Sequence, residues 1–173
     1  MNKKSVTAGF LLVLLLSISV HAQSPRGISP PPLAPPTLED RVRAALFNCI
    51  AVFNQALIEP FADCLAEDVT LFNPDIPDAP DLHRLDGRSA VVAHFRRMFD
   101  SARQRREAPP YFDVKPQNVA VQVLGETAAV ATFEFSREGG TLGRRTFVFA
   151  QRDDRWQAVH IHASNTADRG PVH

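Results

Sequence analysis

The sequence predicts an α+β domain in which helices come first and an antiparallel sheet follows. Three observations predict it. Between Thr37 and Phe99 apolar residues recur at three-and-four spacing, the mark of helical faces, and from Tyr111 onward they alternate, the mark of strands. Short stretches rich in Gly and Asp interrupt that second half where adjacent antiparallel strands need turns. Helices grouped before the strands, rather than between them, place the helices on one face of a single sheet.

Met1 to Ala22 carries Lys3 and Lys4, an apolar core from Phe10 to Val20, and then Val20-His21-Ala22. That order predicts a cleavable secretory signal removed after Ala22. The apolar run falls short of the roughly 20 residues a membrane-spanning helix needs, and no Cys follows it closely enough for a lipid anchor. The expected destination is the periplasm or the medium, with no stable membrane insertion after cleavage. The 173-residue chain would lose 22 residues, leaving 151, which suits one domain. Losing Lys3 and Lys4 turns 19 basic against 19 acidic residues into a slight acidic excess, and nothing in it attracts nucleic acid. Arg103, Arg105 and Arg106 cluster beside Glu107 without interleaved aromatics and read as a solvated loop.

Residues 23–36 hold Pro25, Pro30, Pro31, Pro32, Pro35 and Pro36, a stiff extended linker. The domain is expected over 37–166, followed by a tail at 167–173. Thr37 can cap a first helix with Val42, Leu46, Cys49, Ile50, Phe53 and Leu57 on one face. Pro60 suits the first turn of a short second helix with Phe61, Cys64 and Leu65, ending near Glu67. Cys49 and Cys64 are the only cysteines. A disulfide and a pair of buried thiols both remain open, because pairing depends on a Cα separation. A short strand, Val69 to Phe72, leads into a proline-interrupted loop from Asn73 to Leu85, and Ser89 to Phe99 returns to helical spacing with Val92, Phe95 and Phe99 inward.

Four strands are then expected: Phe112 to Val123, with a break at Pro116; Ala128 to Ser136; Arg144 to Ala150; and Trp156 to Ser164. Alternation sorts the last three into faces. One face would carry Ala131, Phe133, Phe135, Phe147, Phe149, Val159, Ile161 and Ala163. The other would carry Thr132, Glu134, Thr146, Val148, Trp156, Ala158, His160, His162 and Ser164, a surface apolar enough to meet a partner, such as a second copy of the chain.

The run Arg152-Asp153-Asp154-Arg155-Trp156-Gln157-Ala158-Val159-His160-Ile161-His162-Ala163-Ser164 resembles the closing hairpin of the association domain of calcium/calmodulin-dependent protein kinase II and its bacterial SnoaL-like relatives. Asn54-Gln55-Ala56-Leu57, Val69-Thr70-Leu71-Phe72-Asn73-Pro74 and Leu85-Asp86-Gly87-Arg88 stand in the order this resemblance requires, which runs from about Arg41 to Asn165. The resemblance implies the nuclear transport factor 2-like cone: a bent sheet around a pocket, closed by three N-terminal helices, with homodimers or a higher ring formed through the outer face. It departs from the kinase hub in its pocket arginines, since Ala163, Phe135 and Phe147 occupy the expected positions. It departs from ketosteroid isomerase, a further member of that superfamily, in carrying Asn73-Pro74 where the isomerase has its general base, and Phe53 near the position of its Tyr oxyanion donor.

Two functions follow as expectations. In the first, the protein is an exported, non-catalytic binding or assembly module with an apolar pocket for a small hydrophobic molecule. That pocket would be lined by Phe53, Asn73, Phe95, Phe133, Phe135, Phe147, Phe149 and Ile161. In the second, it is a SnoaL-like isomerase, cyclase or hydratase using His94, on the helix beside Phe95, or His83, Asp75 or Asp78 from the loop. Glu134, Trp156, His160, His162 and Ser164 are the expected interface. His160 and His162, two residues apart on one strand face near Glu134, are also candidate metal ligands, though without a secure third ligand. No cofactor is expected.

Overall fold

The computed structural model describes residues 34–73, 84–137 and 140–166. The expected signal, most of the proline-rich linker, the loop candidates His83, Asp75 and Asp78, and the C-terminal tail lie outside the described residues.

Helix α1 spans Leu38–Asn54. Thr37 and Asp40 close a capping box, with the Asp40 amide donating to Thr37 Oγ1 at 3.1 Å and the Thr37 amide donating to Asp40 Oδ2 at 3.0 Å. The Thr37 hydroxyl, which donates to Asp40 Oδ2 at 2.6 Å, and then the Thr37 amide hold the Asp40 carboxyl below its ordinary range. Val42, Leu46, Cys49 and Ile50 form its buried face. Leu57 does not continue that face: the helix has ended, Ala56 adopts a left-handed φ of 54°, and Leu57 is exposed as the cap of α2, Ile58–Asp63. The α1 C-terminus also anchors the segment before the sheet. Asn54 donates to the Val114 carbonyl and accepts from its amide, both at 3.0 Å, as a strand residue would.

Strand β1 covers Leu65–Phe72, beginning earlier than its apolar run suggests, and a two-residue β2, Leu85–Asp86, pairs antiparallel with it. Helix α3, Arg88–Arg105, is longer than the Ser89–Phe99 pattern. Arg103 and Arg105 therefore belong to a helix and not to a loop. Arg103 pairs with Asp100 and donates to the Ala56 carbonyl, while Arg106 donates to the Pro110 carbonyl.

Strands β3 (Gln117–Val123), β4 (Ala128–Ser136), β5 (Leu142–Arg152) and β6 (Arg155–Asn165) form the expected antiparallel meander, with β3 starting just after Pro116. The β5–β6 hairpin turns through Asp153 and Asp154, both at positive φ, as a two-residue turn matched to strand twist requires. The sheet order is β2-β1-β6-β5-β4-β3, and β1 lies parallel to β6. Breaks in register within the β1–β6, β3–β4 and β5–β6 pairs mark where a sheet bends.

One of those breaks changes the faces. Pairing jumps from Val148–His160 to Phe149–Ala158, so Val159 is an extra residue and everything before it on β6 turns to the opposite side. Trp156 and Ala158 consequently lie on the inner face, both buried in the core, and not on the outer surface that strict alternation predicts. The inner face also carries Gly143 opposite Phe135. A Cβ at residue 143 would run into that ring, so only glycine leaves Phe135 where it lies.

Candidate functional site

A cavity of about 100 Å³ lies between the helices and the inner face of the sheet. Helices α1, α2 and α3 contribute Phe53, Phe61 and Phe95, whose rings meet at tilted or edge-on angles with centroids 4.7 to 6.0 Å apart. The sheet contributes Phe133 and Phe147, stacked at 6.1 Å, with Ile161 beside them on β6. Asn73, at the end of β1, and Arg145, on β5, are the polar members of the wall.

Six of the eight expected pocket residues therefore face one space: Phe53, Asn73, Phe95, Phe133, Phe147 and Ile161. Phe149 does not line it. It is fully buried behind Phe147, at a centroid distance of 5.7 Å, and packs the core. Phe135 does not line it either, because the Arg145 guanidinium lies over its ring, 4.8 Å from the centroid. Arg145 stands two residues before Phe147, so period-two alternation puts both on the same face. Burial away from water, with a smaller repulsion from Arg137, pushes its pKa down to about 10, which leaves it charged at neutral pH.

His94 is not the surface histidine its position beside Phe95 suggests. It is 4 % exposed and hydrogen-bonded to the cavity residue Asn73, whose amide donates to Nε2 at 2.9 Å, an arrangement that needs the neutral ring. Burial, with a smaller repulsion from Arg97, holds its pKa below the ordinary 6.5. Between the folded and unfolded values the unfolded chain binds more protons. The His94 contribution to stability is thus complete above about pH 6.5 and is lost as the pH falls toward the folded value. Urea midpoints should accordingly drop between pH 7 and pH 5, and the slope should flatten in His94→Gln. It should lessen without vanishing, because burial and the charges of His162 and Arg84 also hold His160 low. An unchanged slope in the variant would exclude His94 as its source.

On the outer face His160 and His162 flank Phe72, which β1 brings alongside β6 at ring distances of 5.8 and 6.0 Å. His160 Nδ1 is 2.7 Å from Thr70 Oγ1. Phe72, 37 % exposed, is part of this patch although the strand alone gave no sign of it. Of the expected interface residues, Glu134, His160, His162 and Ser164 share this side, and Trp156 does not. Glu134 is turned to Arg144 and Asn118, each at 3.2 Å, and among the described residues no three potential metal ligands gather. Cys49 and Cys64 form a disulfide across a Cα separation of 5.8 Å, and Cys49 also borders the cavity.

Comparison with known proteins matches residues 42–168 to the SnoaL-like domain family. No curated protein matches the chain. Among solved structures, an NTF2-like protein of unknown function from Pseudomonas putida is 18% identical with a TM-score of 0.60, covering 76% of this chain and 88% of its own. A candidate dehydratase of the NTF2-like family from Streptomyces avermitilis is 19% identical with a TM-score of 0.60, covering 75% of this chain and 96% of its own. The association domain of calcium/calmodulin-dependent protein kinase II from C. elegans is 20% identical with a TM-score of 0.51, covering 73% and 93%. These likenesses establish the fold that the closing hairpin led us to expect.

Proposed function

Because the chain belongs to the SnoaL-like domain family, we propose that it is an exported binding module that holds a small hydrophobic molecule and pairs with a second copy of itself. The observation that carries this reading is the cavity, a space between helices and sheet whose wall is mostly aromatic and aliphatic. Export is supported by the signal-like Met1 to Ala22 and by the Cys49–Cys64 bond, since disulfides persist in oxidising compartments. Self-association is supported by the outer face, where the exposed Phe72 ring stands among His160 and His162.

Native mass spectrometry of protein purified from the exported fraction tests both parts. The expected species is a dimer or a larger ring carrying a retained small molecule, and Phe72→Glu is expected to release monomers. A wild-type monomer would reject assembly. Failure of xenon to perturb the methyl NMR signals of Ile161 and Leu71 would reject the cavity as a binding space.

A second reading, a hydratase or isomerase, is favoured by one observation, the neutral buried His94 bonded to a cavity residue. It predicts that a molecule recovered from the cavity is chemically altered on incubation with wild type and left intact by His94→Gln.

A further inference from the structure

On the outer face of the sheet, β6 presents His160 and His162 two residues apart and therefore on one side of one strand. The single chain supplies no third ligand to them. Glu134 is engaged by Arg144 and Asn118, and among the described residues no three potential metal ligands gather. Two imidazoles are half of a tetrahedral zinc site. Half a site is what a two-fold interface can complete, because residues near the axis meet the same residues of the other copy.

Three observations favour that completion. The first is the hold on His160, whose Nδ1 lies 2.7 Å from Thr70 Oγ1, a contact fixed by the pairing of these two residues across β1 and β6. With Nδ1–H donating to the hydroxyl, the ring orientation is set and the lone pair sits on Nε2, the nitrogen left for a metal. Metal-bound histidines are held by their other ring nitrogen in this way. The second is Phe72, which stands against both imidazoles at 5.8 and 6.0 Å and is 37 % exposed. Apolar surface at this spot is what a second copy would cover, and covering it brings the two histidine pairs toward each other. The third is the charge around the pair. On β5 the residues opposite the two histidines are Thr146 and Val148, both neutral. Arg84, whose charge reaches His160, is itself paired with Asp86 at 2.6 Å.

We propose that His160 and His162 of one copy, with the same two residues of a second copy, form a shared four-imidazole site for zinc that exists only when the two outer faces meet. The proposal rests on the self-association reading and names the ion that joins the two copies. An all-nitrogen donor set suits a borderline divalent transition ion and disfavours magnesium, which seeks oxygen.

The test is native mass spectrometry and sedimentation velocity of untagged protein from the exported fraction, in EDTA and then with zinc chloride or magnesium chloride. The expected result is one zinc per two chains and a dimer at least about tenfold tighter in zinc than in EDTA, since an ion that binds only the paired form stabilises it. Magnesium should change nothing. His160→Gln and His162→Gln each leave one imidazole per copy and should lose the species with one zinc per two chains. Thr70→Val keeps both ligands but frees the His160 ring, and should weaken zinc binding about ten- to hundredfold, the usual cost of losing such a support. Circular dichroism checks that each variant folds, and the wild-type stoichiometry decides without them. One zinc per chain, or a zinc-bound dimer that survives both histidine substitutions, would overturn the shared site. A dimer that neither binds zinc nor tightens with it would also overturn the site and leave self-association standing. A monomer in EDTA and in zinc alike would overturn both.

Discussion

Phe147→Ala is expected to lower the unfolding free energy by about 3–5 kcal/mol, the range for removing a large aromatic from a packed core. Phe147 is 7 % exposed and stacks on Phe133 on one side and Phe149 on the other, so its removal costs transfer free energy and two ring contacts together. The surroundings cannot collapse easily, because β4 and β6 hold the β5 backbone from both sides. The void should instead merge with the existing cavity. Urea denaturation followed by circular dichroism gives the loss of stability, and benzene, too large for the wild-type space, should bind the variant and restore part of it. A loss below about 1 kcal/mol would mean that the inner face is far looser than the stacked rings imply.

The second large effect is expected from the Cys49–Cys64 bond. It closes a loop with a sequence separation of 15, and constraining the unfolded chain over that length is worth about 3 kcal/mol in the chain-entropy model. Cys49→Ala/Cys64→Ala should therefore unfold at markedly lower urea than the oxidised protein. Dithiothreitol should produce the same shift in wild type and none in the variant. Because the two residues are only 2 % and 6 % exposed, reduction of the folded protein should be slow and should accelerate as the domain opens. Identical midpoints with and without reductant would show that the bond contributes nothing to stability.

The parts of the fold legible in the sequence were those governed by near neighbours. Thr37 and Asp40 announce the α1 cap, Asp153-Asp154 announces its hairpin, and Ala128–Ser136 shows its strand bounds through uninterrupted alternation. The site was legible to the same degree. Phe133, Phe147 and Ile161 converge because alternation fixes a face and hairpins fix the neighbours. Arg145 obeys the same rule, two residues from Phe147 on the same strand.

Four features were decided only in three dimensions. The extra residue at Val159 coincides with a break in the β1–β6 register, and it moves Trp156 and Ala158 inside. The parallel pairing of β1 with β6 joins residues about ninety positions apart, which brings Phe72 to His160 and His162. The Asn73–His94 bond forms because β1 and α3 pack together across a loop whose length does not reveal it. The disulfide, left open by spacing, depends on the angle at which α1 meets α2. Local periodicity thus determined which elements exist and which side of each is apolar. Register shifts and long-range pairings are set by packing energies summed over the whole domain, and these alone decided which residues share the cavity and which remain outside it.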